Sequence, residues 1–186
     1  MFARLFIAAT LLVPLNTLAQ TSPYAGQEAR DIKALSAQEV DDLRNARGMG
    51  LAKAAELNGY PGPAHALELG AQLGLSEDQT AALKAIHGRM AEAAKGIGAA
   101  IIDTERDLDR LFAERRIAPE SLGRTTAAIG ELQGRLRAVH LVAHLETRAA
   151  LSEEQVRRYD ALRGYGTHQG NGHQGGRHGH GHGHGG

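Results

Sequence analysis

The chain has 186 residues, 21 basic against 21 acidic side chains and no cysteine, enough for one ordinary domain with no net charge. Balanced charge argues against a nucleic-acid or anionic-membrane binder. The absence of Cys rules out disulfides and thiol chemistry, so any metal ligands must be His nitrogens and carboxylate oxygens.

Arg4, the apolar run Leu5 to Leu15 and the small residues before Ala19 read as a secretory signal over residues 1–19. The run is shorter than the about 20 apolar residues of a spanning helix, and Pro14 and Asn16 weaken it further. No later segment is apolar enough to cross a bilayer. The mature chain is therefore expected in the periplasm, with no membrane insertion after cleavage.

Residues 20–63 read as a partly helical N-terminal arm. Ala, Leu, Arg and Glu dominate the middle of the chain, and β-branched and aromatic residues never alternate over a strand length, which predicts an all-α body. Ser36 with Glu39 forms a capping box that opens a helix from about Ala37 to Asn58. Gly48 and Gly50 interrupt it at a cost of about 1 kcal/mol each, so a kink is expected. The break Gly59-Tyr60-Pro61-Gly62-Pro63 ends the arm, and His65 to Leu73 forms a short helix.

Residues 64–164 carry the main helical domain. Ser76 with Gln79 opens a long amphipathic helix from Glu77 to about Arg115, with Leu83, Ile86, Met90, Ile97, Ile101, Leu108 and Phe112 on its inner stripe. Ala118-Pro119 breaks it, and Pro suits the first turn of the next helix. From there Leu122, Thr125, Ile129, Leu132, Leu136, Val139 and Ala143 recur at steps of three and four, a seam that predicts a long antiparallel helical hairpin. Ser152 with Gln155 opens a shorter helix that ends at Gly164. Leu35 with Val40 and Leu151 with Val156 are placed as hydrophobic staples.

Residues 165–186 are Gly, His, Gln and Asn with almost nothing to bury, so they are expected to form a disordered tail. It holds His168, His173, His178, His180, His182 and His184, the last four at every second position. Neutral imidazole suits zinc, copper and nickel, and Gly lets the chain bend round one ion. A second candidate is His140 with His144, four apart on one helix face, with His87 expected opposite them. A helix as apolar as Leu141, Val142 and Leu145 make this one also accommodates buried His bonded to backbone. Asp103, Glu105, Asp107 and Asp109, interleaved with Arg106, Arg110 and Arg115, read as a solvated charge face. No nucleophile motif, phosphate loop or His-Glu-x-x-His occurs, so no enzyme is expected and no cofactor beyond a bound Zn, Cu or Ni ion.

Leu75-Ser76-Glu77-Asp78-Gln79 and Leu151-Ser152-Glu153-Glu154-Gln155 resemble the paired motif of the Spy/CpxP (LTxxQ) family, whose relatives include periplasmic heavy-metal sensor and resistance proteins. Leu75, Ser76, Gln79, Leu151, Ser152 and Gln155 carry the likeness, with Ser where the family often has Thr. The resemblance covers about Leu75 to Arg163. It implies a four-helix, hairpin-like protomer, a homodimer, and work in envelope stress. That work is metal sensing or resistance, ATP-independent holding of unfolded periplasmic proteins, or restraint of a membrane sensor kinase.

Overall fold

A computed structural model describes residues 21–165. The signal-peptide reading and the six tail histidines lie outside the described residues. Among those residues the protein is all-α: α1 (Ala37–Arg44), α2 (Lys53–Glu56), α3 (Pro63–Glu68), α4 (Gly70–Leu73), α5 (Glu77–Ala113), α6 (Pro119–Ala150) and α7 (Glu153–Arg163). None of these helices is long and apolar enough to cross a membrane.

Local chemistry sets the boundaries. Ser36, Ser76 and Ser152 each accept the N3 amide and receive the N3 side chain on their own N–H, which satisfies orphan donors at three helix starts. Pro119 opens α6, where the Ser121 hydroxyl accepts from the Ala118 amide at 3.0 Å. Gly164 stops α7 in the left-handed region at φ 76°.

α5 has 37 residues and so runs for about 55 Å. It packs antiparallel against α6, with Arg89 of α5 bonded to Glu146 of α6 at 2.6 Å. Two apolar clusters fill the seam. Leu83, Ile86, Ala143, Leu151, Val156 and Tyr159 form one beside α3, α4 and α7. Ile32, Leu43, Ala94, Ile101, Ile102 and Leu136 form the other under α1. The arm lies on α5 at Gly98, where an added Cβ would sit 2.4 Å from the Leu43 carbonyl oxygen, so only glycine permits the contact.

Three details differ from expectation. The arm is not one kinked helix from Ala37 to Asn58: α1 ends at Arg44, and Ala46, Met49 and Gly50 adopt positive φ before α2 begins. The break starts ahead of the glycines, at Ala46, and of the two glycines only Gly50 takes positive φ; left-handed backbone at Ala46, Met49 and Gly50 cannot continue a helix. The segment from His65 to Leu73 divides at Leu69 into α3 and α4. Phe112 and Leu122, placed on the seam by their spacing, are 53% and 37% exposed. They lie on the turns next to the 114–118 reversal, beyond the reach of the arm, where two helices alone cover little surface.

A buried polar cluster as the candidate functional site

The inner face of α6 changes character along its length. Ile129 and Leu136 are buried, but further on the buried positions are His140, Ala143, His144 and Thr147, while Val142 and Leu145 face outward at 49% and 55% exposure. Helical spacing explains the arrangement: positions 140, 143, 144 and 147 share one face, and 142 and 145 fall on the other. The Thr147 hydroxyl is satisfied by the Ala143 carbonyl at 2.7 Å.

One of the two imidazoles bonds to the arm. His144 Nδ1 lies 2.7 Å from the Tyr60 carbonyl oxygen and 3.6 Å from Glu56 Oε2. The carbonyl can only accept, so Nδ1 carries the proton in that bond. The other edge of the His144 ring rests on Gly62, where an added Cβ would come within 3.1 Å of Nε2. His140 is buried and its Nε2 has no partner. Burial, and then the neighbouring His144, hold its pKa below the usual imidazole range.

Glu56, the last residue of α2, is the hub. Its Oε1 accepts from the Tyr159 hydroxyl at 2.6 Å and from the Tyr165 hydroxyl at 3.0 Å, with Arg163 Nε at 3.6 Å and His65 Nδ1 at 3.8 Å. Its Oε2 is buried without a hydrogen-bond partner. Burial and the bond to Glu56 push the Tyr159 phenol far above its ordinary pKa, so it stays a donor. Asp160 is raised by burial and then by the Glu56 carboxylate. The cluster therefore ties α2 and the 59–62 turn to α6 and α7. It also lines a cavity of about 430 Å³.

The two resembling motifs come together at the same end of the molecule. Gln79 and Gln155 exchange amide hydrogen bonds of 2.8 and 2.9 Å, and Gln79 also donates to the Ala150 carbonyl at 3.0 Å. Each Gln thus caps its own helix through Oε1 and bonds the other helix through its amide.

Sequence reasoning singled out His140 and His144, and both face the cavity, but His87 does not join them. The Arg89–Glu146 bond sets a register in which His87 falls level with Arg148, one turn away from His144. Among the described residues no group of three or more His, Asp and Glu side chains could hold a metal ion. Of the charge-face acids, Asp103 and Asp107 pair with Arg106 and Arg110, whereas Asp109 reaches Lys33 of the arm at 3.1 Å. Glu56, Tyr159 and Tyr165 escaped the sequence reading. A single carboxylate before a Gly-Tyr-Pro break shows no pattern, and its partners lie about a hundred residues away along the chain. Comparison with known proteins finds no matching family model, no matching curated protein and no matching solved structure.

Proposed function

We propose that this is an exported helical protein of the Spy/CpxP type that binds transition-metal ions through its C-terminal histidines. The observation that carries this reading is the set His178, His180, His182 and His184, at every second position between glycines, with His168 and His173 before it. That composition supplies several neutral imidazoles on a chain able to wrap one zinc, copper or nickel ion. Support for the family assignment comes from the two Leu-Ser-x-x-Gln segments, which both cap helices and bond to each other. Calorimetric titration of the full chain with zinc, copper and nickel, beside a variant with the six tail histidines changed to Ser, tests it. Binding lost in the variant is expected, and affinity in the wild type should fall as pH drops through about 6.5. No binding by the wild type ends the reading.

A second reading, a holdase for unfolded periplasmic proteins, draws on the outward Val142 and Leu145 of α6. It predicts that the protein suppresses aggregation of a denatured client and that Val142→Ser with Leu145→Ser abolishes the protection. A client that aggregates equally with and without the wild-type protein rules it out.

A further inference from the structure

We infer that residues 46–60 form a strap that lifts off α6 and α7 as a unit while both of its ends stay anchored. On one side Leu43 is buried in the second apolar cluster with its carbonyl against Gly98, and on the other Pro61 is fully buried. Between these anchors Ala52 alone is buried; Ala46 and Leu51 reach the second cluster only in part, and Met49 and Leu57 are 41% and 54% exposed. A segment that buries so little apolar surface is held down mainly by its polar bonds.

Those bonds are opposed by groups left unmet where the strap docks. Glu56 accepts from Tyr159 and Tyr165, and the Tyr60 carbonyl accepts from His144. Yet Glu56 Oε2 on the strap, His140 Nε2 on α6 and Asp160 Oδ1 on α7 are buried with no hydrogen-bond partner, and among the described residues no other buried side-chain atom is in that position. Glu56 Oε2 lies 3.6 Å from His144 Nδ1, but the proton on that nitrogen already goes to Tyr60. Asp160, beside Gly59 of the strap, is also set against the Glu56 carboxylate. Lifting the strap gives all three atoms to water, so closure carries a cost that native interiors seldom accept. The backbone pulls the same way: Ala46 and Met49 hold φ of 54° and 44°, the left-handed region that favours glycine, and an open strap is free to leave it.

Cavities of about 490, 430 and 500 Å³ flank the strap and share Met49 as a wall. With the strap lifted they become one groove along α6 from Gly130 to His144. The closed strap is thus a cover over that stretch of α6, and its movement needs no metal on the tail.

The chain has no cysteine, so one introduced thiol reports on one position. In the full chain, His140→Cys places a thiol under the strap, and Ala94→Cys places one in the hairpin seam, where Ala94 is wholly buried. Iodoacetamide should label the first at least ten-fold faster than the second. Hydrogen exchange of the wild-type chain supplies a readout free of substitutions. The bonded amides of Leu51, Ala55, Glu56, Leu57 and Tyr60 should share one opening, at least ten-fold less protected than the amides of residues 41–44 and of the α5–α6 seam. His140→Leu removes one unmet atom and should raise the protection of the strap amides about ten-fold. Equal labelling of the two thiols overturns the inference, as does a strap as protected as α1. Scattered rates within residues 51–60 would show fraying in place of a unit, and loss of α1 together with the strap would show one moving arm; either contradicts it. Strap protection unchanged by His140→Leu would remove the unmet atoms as the cause and the inference with them.

Discussion

The arm is fastened to the hairpin at two places by opposite means. At α1 the contact is steric and apolar: Leu43 and Ile32 sit among Ala94, Ile101, Ile102 and Leu136, and backbone meets backbone at Gly98. At α2 it is polar, a carboxylate and a backbone carbonyl facing two imidazoles and two phenols, with no buried residue in α2 itself. Close packing tolerates no added volume, whereas a hydrogen-bonded hub tolerates volume but responds to protonation. The first contact therefore defines the fold, and the second is where solution conditions can act.

The largest effect is expected from Gly98→Val, which drives a branched side chain into the Leu43 carbonyl. Overpacking of this kind costs about 1–3 kcal/mol or more, and here the obstacle is backbone. Urea unfolding should show the loss, and hydrogen exchange should show residues 30–45 unprotected first. Wild-type stability in this variant would mean that α1 does not lie as close to α5 as described.

Next comes Glu56→Ala, which leaves the buried Tyr159 hydroxyl and the Tyr165 hydroxyl without their acceptor. Hydrogen bonds to a charged group are worth about 1.5–3 kcal/mol, so a loss of that order is expected in the same assay. Hydrogen exchange should then loosen residues 50–62 while residues 30–45 keep their protection. Simultaneous loss at both places would show that the two fastenings are one unit.

The pH dependence isolates His140. Its folded-state pKa lies below the unfolded value of about 6.5, so the unfolded chain takes the proton first. This penalty is absent above about pH 6.5 and grows as pH falls below it. It levels off once the folded imidazole is itself protonated. His140→Leu should flatten that part of the stability curve, and an unchanged curve would place the titration elsewhere.

A smaller change is expected from Gln155→Ala, which removes one capping partner and the amide exchange with Gln79, for a loss of about 1 kcal/mol. Arg89→Ala breaks an ion pair that is largely exposed and should alter stability by less than about 1 kcal/mol.

Much of this fold could be read from particular residues. Ser36, Ser76 and Ser152 announced three helix starts because a capping hydroxyl and its N3 partner lie within four residues of one another. Pro119 marked the second long helix, and the three-four spacing of Leu83, Ile86 and Ile101 marked the inner face of the first. What could not be read is contact between distant segments. Nothing near Gly98 in the chain shows that Leu43 lies against it, and a glycine inside a helix pattern looks like a weakness until its neighbour is known. The same holds for the candidate site. His140 and His144 stood out by their four-residue step, but the Tyr60 and Glu56 partners of His144 follow from tertiary register alone. His87 fails to join them even though the Arg89–Glu146 bond keeps the hairpin close to the expected register, because in that register Ala91, not His87, stands level with His144.

The most direct test of the proposed function is a zinc titration of the full chain followed by two-dimensional NMR of the histidine rings. The account predicts that His178, His180, His182 and His184 shift or broaden at the first equivalent while His140 and His144 stay in place. Early perturbation of His140 and His144 with the tail unaffected would contradict it, moving the metal from the tail into the helical body.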